Sequence, residues 1–252
     1  MPHRPLPAEV VRAERLTPHL TRITVTGPDL DGFGYDGPDH LVRIFLSPEP
    51  GGAPVLPDSD DWWPALQAIP GDVRPVVRNY TVRRLDRARR EMDIDFVLHG
   101  DNGPASAWAG TAAPGDRLGV LSDGAEYAPP PDTDWQLLAG DETALPAITA
   151  AAEALPAGAT AIALIEVAGA DCEIPVAAPS GVTVHWLHRR GAPAGSSDVL
   201  VRTLRDMPLP AGTPYAFLAG ESMMVTTARR HLCAERGFPK NRVYFSGYWR
   251  AS

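Results

Sequence analysis

The sequence predicts two domains, an antiparallel β-barrel followed by an α/β domain built on a parallel sheet. In the first half, short apolar and β-branched runs are divided by Gly and Pro turns, as in a small closed or nearly closed barrel. In the second half, strand-like and helix-like runs alternate, which is typical of a parallel sheet covered on both faces. Consecutive prolines in Ala128–Asp132 predict an extended linker, so we place the domains at 1–127 and 128–252.

The barrel prediction depends on a set of short runs with strand-like composition. They are Thr21–Thr26, Leu41–Leu46, Arg78–Arg84, Asp93–Leu98 and a last run after the turn at Pro114–Arg117. A long insertion rich in Pro, Gly and Asp, residues 48–73, carries the adjacent Trp62 and Trp63. Two interpretations are open: the tryptophans flank a substrate, or they pin the loop to the barrel, which is the commoner use of buried tryptophan.

The second domain alternates strands with helices along its whole length. The predicted strands are Trp135–Ala139, Ala159–Val167, Val182–Leu187, Tyr215–Ala219 and Val243–Ser246, and the predicted helices are Leu145–Leu155, Val199–Met207 and Ser222–Glu235. Parallel sheets bind ligands beyond the carboxyl ends of their strands. Three turns therefore become candidates: Gly140–Leu145, His188–Gly191 and Ala219–Ser222. The turn at Gly140–Leu145 carries no GxGxxG, so it is not the usual dinucleotide fingerprint.

Composition excludes several classes of function. The formal charge of −8 argues against a nucleic-acid or membrane role, and no apolar run approaches the roughly 20 residues that span a bilayer. The N-terminus lacks the apolar core of a signal peptide, so we expect a cytoplasmic protein. We also expect a monomer or weak dimer. Cys172 and Cys233 match no metal spacing, and we predict free thiols and no protein-bound metal.

The stretch from Arg78 to Trp108 has the chemistry to bind a large, flat, phosphate-bearing cofactor. An arginine matches a phosphate with its planar fork of donors, a tyrosine offers an aromatic face, and a threonine hydroxyl bonds at a ring edge. Gly103–Ser106 then opens a predicted helix, whose N-terminus attracts a diphosphate. The alternative is a β-hairpin with an arginine-rich turn, followed by an ordinary helix cap.

Several motifs along the chain, taken together, resemble those of one known family. They are Arg-x-Tyr-Thr-x-Arg (78–83), DFVLHG (95–100), GPASAWA (103–109), RLTPHLTRITVTGPDL (15–30), GDETALPAI (140–148), AGE (219–221) and GYWR (247–250). On these residues the chain resembles the siderophore-interacting proteins, which are flavin-dependent ferric-siderophore reductases of the ferredoxin-reductase-like superfamily. The resemblance implies an FAD-binding barrel, an NADPH- or NADH-binding α/β domain, and a ferric siderophore as the substrate.

The resemblance also implies a set of site residues. Those expected to bind the cofactors are Arg78, Tyr80, Thr81, Val97, His99, Gly103, Ala105, Ser106, Trp108, Asp141, Thr143, Ala144 and Trp249. Arg43 and Arg250 are expected to hold the anionic substrate, while Ser122–Glu126 departs from the family's Gly-Pro-Gly-like turn and is acidic. No catalytic side chain is expected, because the flavin carries the redox chemistry.

Other residues keep two interpretations each. Trp249 or Tyr248 covers the flavin, or both pack at the sheet edge. Helix-start N–H groups at Gly140–Leu145 would face the nicotinamide nucleotide. Arg189 with Arg190 holds a ribose 2′-phosphate, or forms an exposed charged loop.

Alternatives for Glu221 and for the whole chain also stay open. Glu221 binds ribose hydroxyls or caps a helix. The whole chain is a ferric-siderophore reductase, a general NAD(P)H:flavin oxidoreductase with another acceptor, or a non-catalytic protein that binds a flavin or a siderophore.

Overall fold

The computed structural model describes residues 4–99 and 103–251. The chain divides into two compact units, with the boundary between Ala125 and Glu126. We call the stretch before this boundary unit 1 and the stretch after it unit 2. No helix among the described residues is long and apolar enough to cross a membrane.

Unit 1 is an antiparallel barrel. Its strands are β1 (Leu6–Thr17), β2 (Leu20–Thr26), β3 (Leu41–Leu46), β4 (Val76–Asp86), β5 (Glu91–Val97) and β6 (Arg117–Ser122), and its helices are α1 (Trp62–Ala68) and α2 (Pro104–Thr111). The strand order is β1-β2-β5-β4-β3-β6, and β1 also pairs with β6, which closes the barrel. The predicted antiparallel barrel is therefore confirmed.

Side chains alternate between the interior of the barrel and its outer surface, as the pairing of β2 with β5 shows. Ile23 pairs with Ile94, and both side chains are fully buried in the barrel core. On the opposite face, Arg22 pairs with Asp95, and its Nε and Nη2 donate to the two carboxylate oxygens at 2.7 Å each. A period of two thus gives β2 and β5 an apolar inner face and a polar outer face with paired charges.

Two elements of unit 1 differ from the sequence prediction. The sequence analysis did not predict strand β1. Most of its residues are exposed. Its pairing with β2 changes register between Val10 and Arg12 and again between Arg15 and Thr17. Each shift breaks the alternation of apolar and polar residues that marks a strand. Helix α1 lies inside the insertion that we expected to be a loop, and it buries Leu66 against the barrel.

Unit 2 is a parallel sheet with helices. Its strands are β7 (Trp135–Asp141), β8 (Thr160–Val167), β9 (Val182–His188), β10 (Pro214–Glu221) and β11 (Val243–Trp249), and its helices are α3 (Leu145–Ala154), α4 (Val199–Asp206) and α5 (Ser222–Ala234). The order is β11-β10-β7-β8-β9, with parallel pairing throughout. Every predicted strand and helix of this domain overlaps an observed one, and the predicted α/β class is confirmed.

Close packing at the end of β7 requires a glycine. A Cβ added to Gly140 would lie 2.1 Å from the carbonyl oxygen of Ala219 and 2.7 Å from the Cβ of Ala144. Strand β10 and the start of α3 both approach the backbone of β7 at this point. Only a residue without a side chain permits this approach.

Unit 2 also buries charge at the carboxyl edge of its sheet. Arg189 donates from Nη1 and Nη2 to the two carboxylate oxygens of Glu142, at 2.9 Å each. Glu166 lies beside this pair, with Oε1 3.9 Å from Nη1 of Arg189, and its side chain is 3% exposed. Burial raises the pKa of Glu166 to about 7.

We predict that Gly140→Ala destabilises the protein. The added methyl group would overlap backbone atoms of β10, which cannot move aside as a flexible side chain does. Overpacking of this kind costs roughly 1–3 kcal/mol, which lowers the melting temperature by roughly 3–10 °C. Thermal unfolding measures the effect. The control is Gly110→Ala in α2, where nothing lies within 4 Å of the added Cβ; equal melting temperatures for the two variants would contradict the argument.

We predict that Glu166→Gln flattens the dependence of stability on pH. The folded-state pKa of Glu166, about 7, lies above its usual value of 4.5. Its contribution to stability is therefore fully present below pH 4.5 and is lost as pH rises towards 7. The wild type should lose up to about 3 kcal/mol over this window, and glutamine should remove that loss. Thermal unfolding from pH 4.5 to 8 tests this, and parallel curves for the two proteins would refute it.

Candidate functional site

One end of the barrel carries a cluster of aromatic side chains. The ring of Tyr80 lies 4.3 Å from that of Phe96, which lies 5.6 Å from that of Trp108, measured between centroids. Burial raises the pKa of Tyr80 to about 12, so its phenol stays neutral. Arg78 is two residues before Tyr80 on β4, so the two side chains share a face of the strand.

Arg78 is an accessible cation. Its side chain is exposed, and Nη1 donates to the carbonyl of Val77 at 2.8 Å. Among residues 4–99 and 103–251 it forms no ion pair. A phosphate would therefore not have to displace a carboxylate from this guanidinium.

Helix α2, which carries Trp108 of this cluster, begins directly after Gly103. Gly103 is the N-cap residue and has no side chain with which to cap the helix. A Cβ added there would lie 3.2 Å from Cε1 of His99, so Gly103 permits close packing against that ring. The hydroxyl of Ser106 accepts the N–H of His99 at 3.1 Å, which ties the end of β5 to the helix. Ala105 and Ser106 are buried.

These groups fit FAD. A cation and a helix N-terminus are the groups that bind a diphosphate, and neutral aromatic rings are the groups that contact a flat ring system. Thr81 lies on the opposite face of β4 from Tyr80 and is buried, and Val97 is half-buried at the end of β5. Their contacts with the cofactor stay predictions. Gly100, the last residue of the DFVLHG motif, lies outside the described residues.

Arg43 is held by several groups on the outside of the barrel. Nη2 donates to Oδ2 of Asp123 at 2.5 Å, and Nη1 donates to Oδ1 of Asn79 at 3.1 Å. Its Cζ lies 5.2 Å from the ring centroid of Trp62. The sequence reasoning found Arg43 but missed Asp123 as its partner. The acidic departure at Ser122–Glu126 was the available signal.

Asp141, at the end of β7, is the centre of the site in unit 2. Its Oδ1 accepts the N–H and the hydroxyl of Thr143, at 2.9 and 2.5 Å. Its Oδ2 accepts the N–H of Glu221 and the indole N–H of Trp249, both at 2.8 Å. Burial raises the pKa of Asp141, and these four hydrogen bonds oppose the effect.

The start of α3 differs from expectation. The N–H of Thr143 donates to Asp141, that of Ala144 to the carbonyl of Asp141 at 3.0 Å, and that of Leu145 to the carbonyl of Glu142 at 3.3 Å. Pro146 follows and has no N–H. The expectation that these helix-start N–H groups face a ligand is therefore wrong, because the turn uses them itself. Ala144 is buried, and contacts of Asp141, Thr143 and Ala144 with a nucleotide stay predictions.

Glu221 is a helix cap. Its Oε2 accepts the N–H groups of Met223 and Met224 at 2.6 and 2.8 Å, and its Oε1 accepts that of Ala251 at 3.3 Å. Trp249 is half-buried and held by Asp141, whereas Tyr248 is exposed. Arg250 is also exposed. Whether Trp249 covers a flavin stays a prediction.

A cavity of about 480 Å³ opens where β9 ends and α4 begins. Its lining includes Trp186, Arg190, Ser197 and Arg202. Neither interpretation of the arginine pair holds for Arg189, which is buried against Glu142 rather than free for a phosphate or exposed. Arg190 is exposed, with a left-handed backbone (φ 52°).

Comparisons with known proteins cover both units. Residues 9–127 match the family model "Siderophore-interacting FAD-binding domain", and residues 133–252 match "Siderophore-interacting protein". A siderophore utilization protein from T. fusca has a solved structure that is 39% identical, with a TM-score of 0.87 over 100% of this chain and 95% of that chain.

Two curated relatives carry enzyme names. Ferric vibriobactin reductase ViuB of Vibrio cholerae is 32% identical over 96% of this chain and 88% of its own length. The NADPH-dependent ferric-chelate reductase of Escherichia coli is 32% identical over 96% of this chain and 91% of its own. The predicted resemblance is thus confirmed: this chain belongs to the siderophore-interacting protein family.

Proposed function

We propose that the protein is a ferric-siderophore reductase that uses NADPH or NADH and FAD to reduce Fe(III) in a siderophore to Fe(II). The observation that carries the proposal is the end of the barrel in unit 1. There an exposed arginine, an aromatic cluster and a helix start with a glycine at its N-cap lie on neighbouring elements. The matched FAD-binding domain and the two relatives named as ferric reductases support it.

The side chains bind and orient, and none reacts. Arg78 and the N-terminus of α2 would hold the diphosphate of FAD, while Tyr80 and Trp108 would contact its ring systems. FAD held there would supply the redox chemistry that links the nicotinamide to Fe(III). Reduction weakens the hold of hard oxygen ligands on the iron, so Fe(II) leaves. Arg43 and Arg250 attract the anionic ferric complex.

The nicotinamide nucleotide binds unit 2 at the carboxyl edge of the sheet, where parallel sheets bind ligands. The cavity after β9 has the size of a small-molecule site, and the exposed Arg190 brings positive charge to it, whereas Arg202 lies 3.4 Å from Asp198 in the same lining. We assign the adenosine end of the nucleotide to this cavity. The domain functions are thus FAD binding for 1–127 and NAD(P)H binding for 128–252, in a cytoplasmic monomer or weak dimer.

One observation favours a second candidate. Because Asp123 already pairs with Arg43, the charge of this guanidinium is partly neutralised, and this would suit a general flavin oxidoreductase with another electron acceptor. An anaerobic visible spectrum separates the candidates. The reductase predicts that NADH or NADPH bleaches the yellow protein and that a ferric siderophore restores the colour, with Fe(II) trapped by a chelator. Bleaching without Fe(II) would support the general oxidoreductase, and a protein that never bleaches would contradict both.

We predict that Arg78→Ala lowers FAD affinity by roughly 10- to 100-fold, because the phosphate loses a charge-assisted partner. FAD occupancy after gel filtration and titration of apoprotein with FAD measure the loss. Arg89→Ala is the matched control, since Arg89 is exposed in the turn of the same hairpin. Equal occupancy in the two variants would remove Arg78 from the site.

We predict that Arg190→Ala raises the KM for NADPH about tenfold and leaves the KM for NADH nearly unchanged. The physical reason is that only NADPH carries a 2′-phosphate for this guanidinium to bind. Steady-state flavin reduction with both nucleotides gives the ratio, and Arg230→Ala on the exposed side of α5 is the control. An equal rise for both nucleotides, or no rise, would show that no 2′-phosphate contacts Arg190.

A further inference from the structure

The loop between β9 and α4, residues 189–198, separates the cavity of unit 2 from the last residues of the chain. The loop residues on its cavity side include Arg190, Ala192, Ser196 and Ser197. On its other side, a Cβ added to Gly195 would lie 2.9 Å from Cη2 of Trp249 and 2.8 Å from Cβ of Ala251. Gly195 also has a left-handed backbone (φ 76°). Glycine is therefore required here both by the dihedral angle and by the close approach.

The indole of Trp249 is anchored to the sheet at its other end. Its Nε1 donates to Oδ2 of the buried Asp141 at 2.8 Å, and Asp141 ends β7, the central strand of the sheet. The carbonyl of Trp249 accepts the hydroxyl of Ser222 at 2.8 Å. The N–H of Ala251 donates to Oε1 of Glu221 at 3.3 Å. The pyrrole end of the indole is thus bonded to the sheet, and the benzene end meets the loop.

A β-bulge directs the indole to this position. Gly220 of β10 pairs with Gly247 of β11, whereas Glu221 pairs with Trp249, so Tyr248 is one extra residue in β11. Consecutive residues of a strand face opposite sides of the sheet, and a bulge changes which side the following residue faces. The extra residue therefore places Trp249 on the side of Glu221, towards Asp141 and the loop. Bulges that redirect a side chain are common beside functional sites.

We propose that Trp249 is a positioning residue that holds the loop 189–198 in shape for the adenosine end of the nucleotide; this rests on the proposed function and adds a residue to its nucleotide site. The benzene end of the indole supports the backbone at Gly195, and the next two residues, Ser196 and Ser197, line the cavity. A loop that is ordered in advance loses less conformational entropy when a ligand binds. Trp249 thereby raises nucleotide affinity through the loop, without contact to the nucleotide or to a flavin.

The test uses the FAD-loaded protein and two probes that represent the two ends of NADPH, adenosine 2′,5′-bisphosphate and nicotinamide mononucleotide. Trp249→Phe removes the indole N–H and the benzene end. We expect it to weaken binding of the adenosine bisphosphate roughly tenfold and to leave binding of nicotinamide mononucleotide unchanged, as measured by calorimetric titration. The matched control is Trp63→Phe, the same substitution at an exposed indole of unit 1.

Two results of these titrations would overturn the proposal. One is wild-type affinity of Trp249→Phe for the adenosine bisphosphate. The other is tighter binding of nicotinamide mononucleotide with no change for the adenosine bisphosphate, because a Trp249 that covers the flavin would compete with the nicotinamide end and not support the adenosine end.

A variant on the loop tests the same contact from the other side. Gly195→Ala inserts a methyl group between the loop and Trp249 and strains the backbone, so we expect the same selective loss for the adenosine bisphosphate. Gly158→Ala is the matched control, since Gly158 is also left-handed (φ 86°) but has nothing within 4 Å of the added Cβ. In the double variant of Gly195 and Trp249 the two losses should not add, because both substitutions disrupt one contact. Fully additive losses would overturn the pairing of these residues.

Hydrogen exchange without any nucleotide separates this inference from the proposed function. We expect the amides of residues 190–198 to exchange faster in Trp249→Phe than in the wild type, with unchanged exchange in the barrel of unit 1. If NADPH reduces the bound FAD, yet Trp249→Phe keeps wild-type loop exchange and affinity, the proposed function stands and the positioning role fails. If the loop loosens in Trp249→Phe, but the wild type binds neither probe and no nicotinamide reduces its FAD, the support of the loop by Trp249 stands and the proposed function fails.

Discussion

The buried carboxylate of Asp141, which forms no ion pair with any described residue, organises the carboxyl edge of the sheet in unit 2. Desolvation of Asp141 is unfavourable unless donors replace the lost water, and here four donors do so. They come from the start of α3, from the junction of β10 with α5, and from the end of β11. A Cβ at Gly220 would lie 2.8 Å from Cγ of Asp141, so the close approach also requires that glycine. One carboxylate thereby fixes three chain segments around the proposed nucleotide site.

The hydrogen bonds at the starts of α3 and α5 determine which groups of unit 2 are left to bind a phosphate. In unit 2 the first N–H groups of α3 donate within their own turn, and those of α5 donate to Glu221. Under the proposed function, the charge that binds a phosphate in unit 2 would therefore come from a side chain such as the exposed Arg190. In unit 1 the N-cap residue of α2 is Gly103, which has no side chain to occupy the first N–H groups of that helix.

Local patterns in the sequence predicted most of the fold, since alternation and turn residues are local signals. They failed at β1, where register shifts break the alternation, and at α1, which lies in a Pro- and Gly-rich context. The site shows a sharper division. Residue types predicted Arg43 and Asp141 as important, but their partners depend on strand order. Trp249 is 108 residues from Asp141 in sequence, and no local pattern connects them.

The pairing of Arg43 with Asp123 bears on how an acidic protein can handle an anionic substrate. The chain carries a net charge of −8, which disfavours long-range attraction of a ferric anion, so positive charge has to act locally, as at Arg43. At short range, Arg43 gains from a new anion only what it loses by releasing Asp123, so charge alone adds little affinity. Under the proposed function, the pairing of Arg43 with Asp123 would therefore determine how much of the guanidinium charge a ferric anion meets.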